Sequence, residues 1–379
     1  MPYPRLEPER IRVFPLAERM SKTAIREAAV DPEQEPPAAP EVAGLVRETA
    51  GRLLAARAHG ASVIMAFGAH LIKNGAAPLV IRMMERGWIT HLATNGAGAI
   101  HDWEFAYQGR SEEDVRANVA QGRFGTWDET GRWLNLAVQV NALRGMGYGE
   151  AVGAMIAEDG LLLPEIAALE KELQQNLRES HPLAPARAEL LTTMRTAGLQ
   201  GGLIAIRHPH KAYSLFGEAF RLRLPITVHC GIGYDIVYNH PLANGAALGR
   251  ASHQDFQIFS HSVAGMENGL FLSIGSAIMA PQIFEKALSA VNNLRLQERR
   301  PILTGHLMVI NDLQESGWDW SQGEPPKNSP DYYLRFLKSF HRMGGSVRYI
   351  AADNRLLLHH LYAALKESHP LPGTQGAHR

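Results

Sequence analysis

The feature that most constrains the fold of this chain is a short apolar run that ends in glycine and recurs along the sequence. ASVIMAFG (61–68), LPITVHCG (224–231) and NGLFLSIGSA (268–277) are such runs, and segments with helical apolar spacing lie between them. A strand with a glycine turn at its carboxyl end, followed by a helix and another strand, is typical of a parallel sheet. The pattern predicts an α/β fold with a doubly wound, mostly parallel, Rossmann-like sheet.

The same alternation organises the remainder of the chain. Further predicted strands lie within residues 89–100, 201–208, 300–310 and 346–353, and predicted helices cover residues 42–58, 79–88, 212–223, 281–294 and 355–367. Residues 1–40, which include VDPEQEPPAAPE, are predicted to form an irregular N-terminal arm. Residues 41–379 are predicted to form a single nucleotide-binding α/β domain, with a helical insertion around residues 104–200.

Composition excludes several classes of partner. The 379 residues carry 38 Lys and Arg against 38 Asp and Glu, so we expect no basic face for nucleic acid. The chain has one cysteine, Cys230, which agrees with a reducing compartment. It contains no apolar run of the roughly 20 residues that span a bilayer, and its N-terminus lacks a signal-peptide core. We therefore expect a cytoplasmic protein that acts on a small molecule.

The glycine turns indicate what kind of ligand is bound. Ligands of open parallel sheets bind outside the carboxyl ends of the strands, where this chain has FGAHLIKNG, TNGAGAIHD, HCGIGYD, SIGSA and AADN. Glycine lets a phosphate approach backbone amides, so several such turns favour a dinucleotide. Asp102, Asp235 and Asp353 lie at or just beyond strand ends, where a carboxylate can bind a ribose or a cationic substrate. Each can instead cap a following helix.

Titratable residues are concentrated around the turn HCGIGYD (229–235). Gly231 and Gly233 are predicted to make room for the cofactor, and Asp235 is predicted to hold a ribose or a substrate amine. His229 and His240 are candidates for the general base, because an unperturbed imidazole titrates near pH ~6.5.

Three stretches of the chain resemble the deoxyhypusine synthase family. SVIMAFGAHLIKNGAAPLVIRMMERGWITHLATNGAGAIHD (62–102) is similar to that family's nucleotide-binding segment, and INDLQESGWDWSQG (310–323) and VRYIAADN (347–354) are similar to two later segments. Members of the family bind NAD and form homotetramers with active sites between subunits. They oxidise spermidine by hydride transfer, cleave it through an imine and transfer the aminobutyl group to a lysine. The resemblance implies NAD as cofactor and a homo-oligomer.

The resemblance also implies particular site residues. The implied NAD contacts are Thr94, Gly96, Gly98, Asp102, Asp235, Asn311, Asp312 and Asp353. Gly275, in the turn SIGSA, is a further predicted cofactor residue. Lys338, in PDYYLRFLK (330–338), stands at the offset of the family's imine-forming lysine, and a solvated lysine on an amphipathic helix is the alternative interpretation.

The chain also departs from the family's pattern. AIMAPQIF, which follows Gly275, has no counterpart of the family's substrate-binding histidines, and His101 replaces one of its paired acidic residues. The family's substrate loop is matched only by Asp319 and Ser321. The sequence therefore does not identify the substrate. It predicts an NAD-dependent enzyme, of transferase or oxidoreductase type, that oxidises a C–N or C–O bond of a polyamine-like or related metabolite.

Two other classes of function remain possible from the sequence. A metal-dependent hydrolase could use strand-end histidines as ligands, for which RHPHK (207–211) and three later histidines, His229, His261 and His306, are candidates. His208 and His210 could instead bind an anionic group, together with Arg207 and Lys211. A non-catalytic nucleotide-binding protein would keep the glycine turns but would not need the polar residues near them.

Overall fold

The computed structural model describes residues 3–369 and divides the chain into two compact units. The first unit comprises the residues up to Ala28 and Asn95–Gln257. The second comprises Ala29–Thr94 and the residues from Ile258 onward. The predicted division into an arm over residues 1–40 and a domain over residues 41–379 stays a prediction.

Helices and strands alternate along most of the chain. The helices are α1 Ile25–Ala28, α2 Pro40–Ala58, α3 Ala69–Lys73, α4 Ala77–Glu85, α5 Gly96–Gln108, α6 Val115–Ala120, α7 Asp128–Asn141, α8 Tyr148–Glu158, α9 Ile166–Arg178, α10 Ala184–Thr196, α11 Leu215–Leu222, α12 Gly245–Ala264, α13 Met279–Gln297, α14 Arg335–His341 and α15 Asn354–Ser368. The strands are β1 Thr23–Ala24, β2 Val63–Phe67, β3 His91–Thr94, β4 Arg110–Ser111, β5 Gly160–Leu163, β6 Gly202–Ala205, β7 Ile226–Val228, β8 Leu270–Ile274, β9 Leu307–Asp312 and β10 Ser346–Ala351. None of the helices over residues 3–369 is long and apolar enough to cross a membrane.

The second unit contains a parallel sheet whose strands run in the order β10-β9-β8-β2-β3. All pairs are parallel, with Val63 opposite Leu270 and Leu270 opposite Leu307. Every residue of β2 and β8 is buried, so side chains on both faces of the sheet are covered. One group of helices, α2, α4 and α15, packs together, and α13 packs with α14. The predicted doubly wound, mostly parallel α/β fold is confirmed.

The first unit is mainly helical. Helix α8 packs between α7 and α11, and Gly153 permits the close approach to α11, since a Cβ at that position would lie 2.6 Å from Phe216 O. Strands β5 and β6 pair antiparallel, as do β1 and β4. One prediction was therefore wrong, because the strand predicted within residues 201–208 is not part of the parallel sheet. The region around residues 104–200 is mostly helical and also contains the short strands β4 and β5.

Within the first unit, a buried ion pair joins the N-terminal segment to helix α5. Arg19 Nη1 and Nη2 donate to Glu104 Oε1 and Oε2 at 2.7 and 2.6 Å. Both side chains are almost fully buried, and the hydroxyls of Ser111 and Thr130 also donate to the carboxylate. The N-terminal segment is thus ordered by specific contacts, and it includes α1 and β1.

Elsewhere the predicted elements agree with the structure to within a few residues. The main exception is the strand expected within residues 300–310, which begins only at Leu307. The apolar residues Ile302 and Leu303 precede it and are not in a strand. Apolar composition alone did not distinguish these two residues, which precede the strand, from the strand itself.

Candidate functional site

The carboxyl edge of the parallel sheet in the second unit is formed by two glycine turns that pack on each other. Gly68 follows β2 and Gly275 follows β8, and a Cβ added to Gly68 would overlap Gly275 O. Gly275 itself has φ +57°, and the nearest atom that its Cβ would meet is Asn354 Nδ2 at 3.9 Å. A Cβ at Gly275 would therefore make only an ordinary contact, but the positive φ is a backbone conformation that glycine adopts most easily.

Asn311 lies at the same edge and carries an unpaired acceptor. Its backbone carbonyl accepts a hydrogen bond from Gly275 N at 2.8 Å, and its Nδ2 donates to Ala352 O at 2.8 Å. Asn311 Oδ1 is buried and has no hydrogen-bond partner in the described part of the chain. A buried polar atom without a partner calls for a ligand or an ordered water.

The other predicted cofactor residues of this unit have partners within the protein. Thr94 Oγ1 donates to Phe67 O at 2.9 Å. Asp312 Oδ1 accepts from the amide of Leu313 at 2.8 Å, which closes a local turn. Asp353 caps α15, and its Oδ1 accepts from the amides of Arg355 and Leu356. Capping, the alternative considered for Asp353, is what the contacts support.

In the first unit the predicted turn TNGAGAIHD forms the start of α5. Asn95 is the N-cap residue, and its Oδ1 accepts from Gly98 N at 2.9 Å. Gly96 lies against Asp235, because a Cβ at Gly96 would lie 2.5 Å from Asp235 Oδ1. Gly96, Gly98 and Asp235 are therefore brought to the N-terminus of one helix, where a negative charge is favoured.

Asp102 is not at a strand end, which corrects its predicted location. It lies within α5 and is fully buried, and its carboxylate accepts from Ser214 Oγ and from Leu215 N, the latter at 2.7 Å. Burial raises the pKa of Asp102 to about 7, and the hydrogen bond from Ser214 opposes this rise. The carboxylate anchors the start of α11, and its predicted NAD contact stays a prediction.

The turn of residues 229–235 closes on itself through Asp235. Asp235 Oδ2 accepts from Gly231 N at 2.6 Å, and burial raises the pKa of this carboxyl. Gly231 is covered by the exposed ring of Tyr234, which a Cβ at Gly231 would overlap. Gly233 has φ +95° and no atom within 4 Å of the position that its Cβ would occupy. Gly233 therefore leaves room for a ligand, whereas Gly231 has its space filled.

The two candidate bases differ in how they are held. His229 is buried, its Nε2 lies 3.0 Å from Thr227 Oγ1, and burial lowers its pKa to about 4. His240 uses both ring nitrogens, because Nδ1 accepts from Leu242 N at 3.0 Å and Nε2 lies 3.2 Å from Asp128 Oδ1. His229 is thus a neutral imidazole near pH 7. Both ring nitrogens of His240 already have partners within the protein.

Sequence reasoning missed three residues that lie near this turn or near strand β7, which precedes it. Tyr148 opens α8, Tyr238 lies in the 3-10 helix Ile236–Asn239, and Asp255 lies in α12. Tyr238 Oη lies 3.6 Å from the Sγ of Cys230, whose pKa is raised by burial. Asp255 accepts hydrogen bonds from β7 and α8, and burial raises its pKa to about 8. Tyr148 and Asp255 are distant from the turn along the sequence, which therefore gave no signal of this arrangement, whereas Tyr238 follows the turn closely.

Lys338 lies on α14 in the second unit. Its Nζ stands 3.4 Å from the centroid of the Tyr332 ring, and its side chain is half-buried. Asp319 accepts from Ser321 and Gln322 within its own turn. These contacts neither require nor preclude the predicted roles of Lys338, Asp319 and Ser321.

The histidines proposed as metal ligands have other surroundings. His208 is buried, and its Nε2 accepts from Trp103 Nε1 at 3.1 Å. Burial lowers the pKa of His208 to about 4. His306 is buried against Phe284, in another part of the chain. Over residues 3–369, no three His, Cys, Asp or Glu side chains are grouped in a way that could hold a metal ion.

The residues at the sheet edge of the second unit fit a dinucleotide in two respects. Gly275 has a backbone conformation that favours glycine, with no atom closer than 3.9 Å to the position that its Cβ would occupy, and Asn311 Oδ1 is a buried acceptor without a partner in the described residues. These features are what a phosphate and a hydroxyl or amide donor of such a ligand require. In this α/β protein, the sheet edge of the second unit is therefore the candidate ligand site.

Comparison with models of protein families and with curated proteins found no match. Among solved structures, the complex of AgrE with ornithine and NAD+ is 14% identical with a TM-score of 0.43, over 89% of this chain and 34% of that one. ArgZ, an arginine dihydrolase from the ornithine–ammonia cycle in cyanobacteria, is 15% identical with a TM-score of 0.39, over 86% and 33%. A candidate deoxyhypusine synthase from Entamoeba histolytica is 10% identical with a TM-score of 0.38, over 85% and 88%. The chain spans about a third of AgrE and ArgZ, and at these TM-scores the likenesses carry no argument about activity.

Proposed function

We propose that this protein is an NAD-dependent enzyme that oxidises a C–N or C–O bond of a small polyamine-like or related metabolite by hydride transfer. The observation that carries the proposal is the edge of the sheet in the second unit. There Gly275 has φ +57° and an uncrowded position beside its Cα, and the neighbouring Asn311 presents a buried acceptor that is unpaired in the described residues. A bound dinucleotide would use both features.

NAD+, when bound, supplies a hydride acceptor. The task of the chain is to hold the substrate and to take its proton, because oxidation of R–CH2–NH3+ to R–CH=NH2+ releases one hydride and one proton. Asp235 is a buried carboxylate whose pKa is raised by burial, which makes it a better proton acceptor than an exposed aspartate. His229 is the second candidate, since burial lowers its pKa to about 4 and leaves it neutral at pH 7.

The oxidised substrate then undergoes transfer, elimination or hydration. In the transferase version, the amine of Lys338 attacks the carbon of the oxidised substrate, and the original amine leaves. On the resemblance to deoxyhypusine synthases we also propose a homotetramer, which light scattering after size-exclusion chromatography would test.

The cofactor is tested by binding. Mass spectrometry of the ligand released on denaturation, followed by calorimetric titration of the purified protein with NAD+, is expected to reveal the nucleotide. Asn311→Ala should weaken NAD+ binding by about tenfold, the effect of one lost hydrogen bond. Asn293→Ala, an exposed position on α13, is the control and should bind as the wild type does.

Asn311 also anchors β10 through its side-chain amide, so a second variant is needed. Gly275→Ala places a methyl group beside Asn354 Nδ2 on backbone with φ +57°, and it is expected to weaken NAD+ binding as well. Absence of nucleotide from the purified protein, together with no heat of binding for added NAD+, would refute the proposed function.

A further inference from the structure

Two asparagine side chains adjoin Gly275 at the sheet edge of the second unit. Asn354 is the first residue of α15 and is buried, and its Nδ2 is the atom nearest to the position that a Cβ of Gly275 would occupy, at 3.9 Å. Asn311, near the end of β9, accepts a hydrogen bond from Gly275 N at its backbone oxygen, over 2.8 Å. Gly275 is therefore a common neighbour of the two asparagines.

The orientation of each side-chain amide is set by hydrogen bonds within the protein. Asn311 Nδ2 donates to Ala352 O at 2.8 Å, which leaves Oδ1 as a buried acceptor with no partner over residues 3–369. Asn74 Nδ2 donates to Asn354 Oδ1 at 3.2 Å, so Asn354 Nδ2 is directed away from Asn74, and it donates to no residue in that range. The edge thus presents one acceptor and one donor to a ligand.

This pair of side chains fits an uncharged ligand group. Both side chains are neutral, and they hydrogen bond to neutral groups, namely backbone carbonyls and the amide of Asn74. An anionic oxygen opposite Asn311 Oδ1 would set two acceptors against each other at a buried position, which is costly. A carboxamide instead offers an N–H donor to Asn311 Oδ1 and a carbonyl acceptor to Asn354 Nδ2.

The strand order indicates which end of a dinucleotide reaches these residues. Strand β3 lies on one side of β2, whereas β8, β9 and β10 follow one another on the other side, so the order reverses between β2 and β8. In doubly wound sheets a dinucleotide lies across such a reversal, and the half with the first strands holds the adenosine ribose. The half with β8, β9 and β10, at whose ends Gly275, Asn311 and Asn354 lie, is therefore left for the nicotinamide mononucleotide.

We infer that Asn311 and Asn354 bind the carboxamide of the nicotinamide ring. Asn311 Oδ1 accepts from its NH2 group, and Asn354 Nδ2 donates to its carbonyl oxygen. Two hydrogen bonds to one planar group fix its orientation, so the two asparagines also decide which face of the ring accepts the hydride. That the ligand is NAD rests on the proposed function; that its carboxamide is bound at this edge rests on the two asparagines and the strand order.

The experiment compares NAD+ with two analogues that are each altered at one end. Nicotinic acid adenine dinucleotide has a carboxylate in place of the carboxamide, and in nicotinamide hypoxanthine dinucleotide hypoxanthine replaces adenine. Calorimetric titrations with all three are made on the full-length wild type, Asn311→Ala and Asn354→Ala. Asn176→Ala is the matched control, because Asn176 is a buried asparagine of α9 whose Oδ1 also has no partner within residues 3–369. Urea unfolding of each variant is measured alongside.

The wild type should bind the hypoxanthine dinucleotide as tightly as NAD+ and the nicotinic acid dinucleotide about tenfold more weakly, since a contact between two acceptors replaces one hydrogen bond. Asn354→Ala removes the donor to an oxygen that NAD+ and the nicotinic acid dinucleotide share, so it should weaken both by about tenfold. Asn311→Ala should weaken NAD+ alone, which a merely structural role of Asn311 would not do. Asn176→Ala should bind all three as the wild type does.

The comparison of nucleotides on the wild type does not depend on how well the variants fold. Equal affinities for NAD+ and the nicotinic acid dinucleotide would overturn the inference and leave the proposed function intact. A loss of affinity confined to the hypoxanthine dinucleotide would do the same, because it would assign the adenine end to this edge. No binding of any of the three nucleotides would refute the inference and the proposed function together.

Discussion

Removal of the Arg19 side chain should destabilise the first unit severely. The Arg19→Ala variant loses two short hydrogen bonds to Glu104 and leaves a fully buried carboxylate whose remaining donors within residues 3–369 are the hydroxyls of Ser111 and Thr130. Breaking one side of a buried ion pair costs about 3–5 kcal/mol, chiefly because the remaining charge has no counterion. We expect a loss of that size in the free energy of unfolding.

Arg144 offers a control in the same unit. It makes the same two-pronged contact with Glu158, at 2.8 and 2.9 Å, but both side chains are nearly half exposed. Solvent screening should limit the cost of Arg144→Ala to about 1 kcal/mol or less. The two variants therefore differ in burial and not in the geometry of the pair.

Hydrogen exchange of single amides is the appropriate assay, because two units need not unfold together. The amide of Ile25, which donates to Gly109 O at 2.9 Å, reports on the attachment of the N-terminal segment. Arg19→Ala should accelerate its exchange by roughly a hundredfold or more, as the lost 3–5 kcal/mol requires. If Arg19→Ala cost no more than Arg144→Ala, burial would not be what makes the pair important.

Two further predictions concern Asp255 and Lys338. Burial raises the pKa of Asp255 from its ordinary value near 4 to about 8. Between these pH values the unfolded chain binds fewer protons than the folded chain does. The free energy of unfolding therefore falls as pH rises, by up to ~1.4 kcal/mol per pH unit. Asp255→Asn should remove this component of the pH dependence in urea unfolding at pH 5 and pH 8; an unchanged slope would show that Asp255 does not titrate there. If Lys338 forms an imine, borohydride with substrate should label it in the wild type and not in Lys338→Arg; turnover without any label would remove the imine role.

The parallel sheet was predictable because its central strands are covered on both faces. Strands β2 and β8 are buried at every position, so they appear in the sequence as unbroken apolar runs that end at a glycine turn. The glycines at Gly68 and Gly275 were recognisable for a related reason, since close contact between two turns leaves no space for a side chain at Gly68.

The wrong predictions arose where a segment pairs with another segment that is distant in the sequence. Residues 201–208 contain an apolar run like the others, yet β6 pairs antiparallel with β5, about forty residues earlier, with Leu203 opposite Leu162. Both of these leucines are exposed. Apolar composition does not specify the strand with which a segment pairs.

The sequence by itself determined the strand–helix alternation, the glycine turns at strand ends and the clustering of polar residues around residues 229–240. These features depend on neighbours along the chain, such as periodicity and turn chemistry. Only the tertiary structure decided that Asp102 anchors α11 through Ser214 and Leu215, and that Asp255 joins the start of α8 to β7. The physical reason is that burial and hydrogen-bond partners, which set the charge and the role of a side chain, come from segments that meet only when the chain is folded.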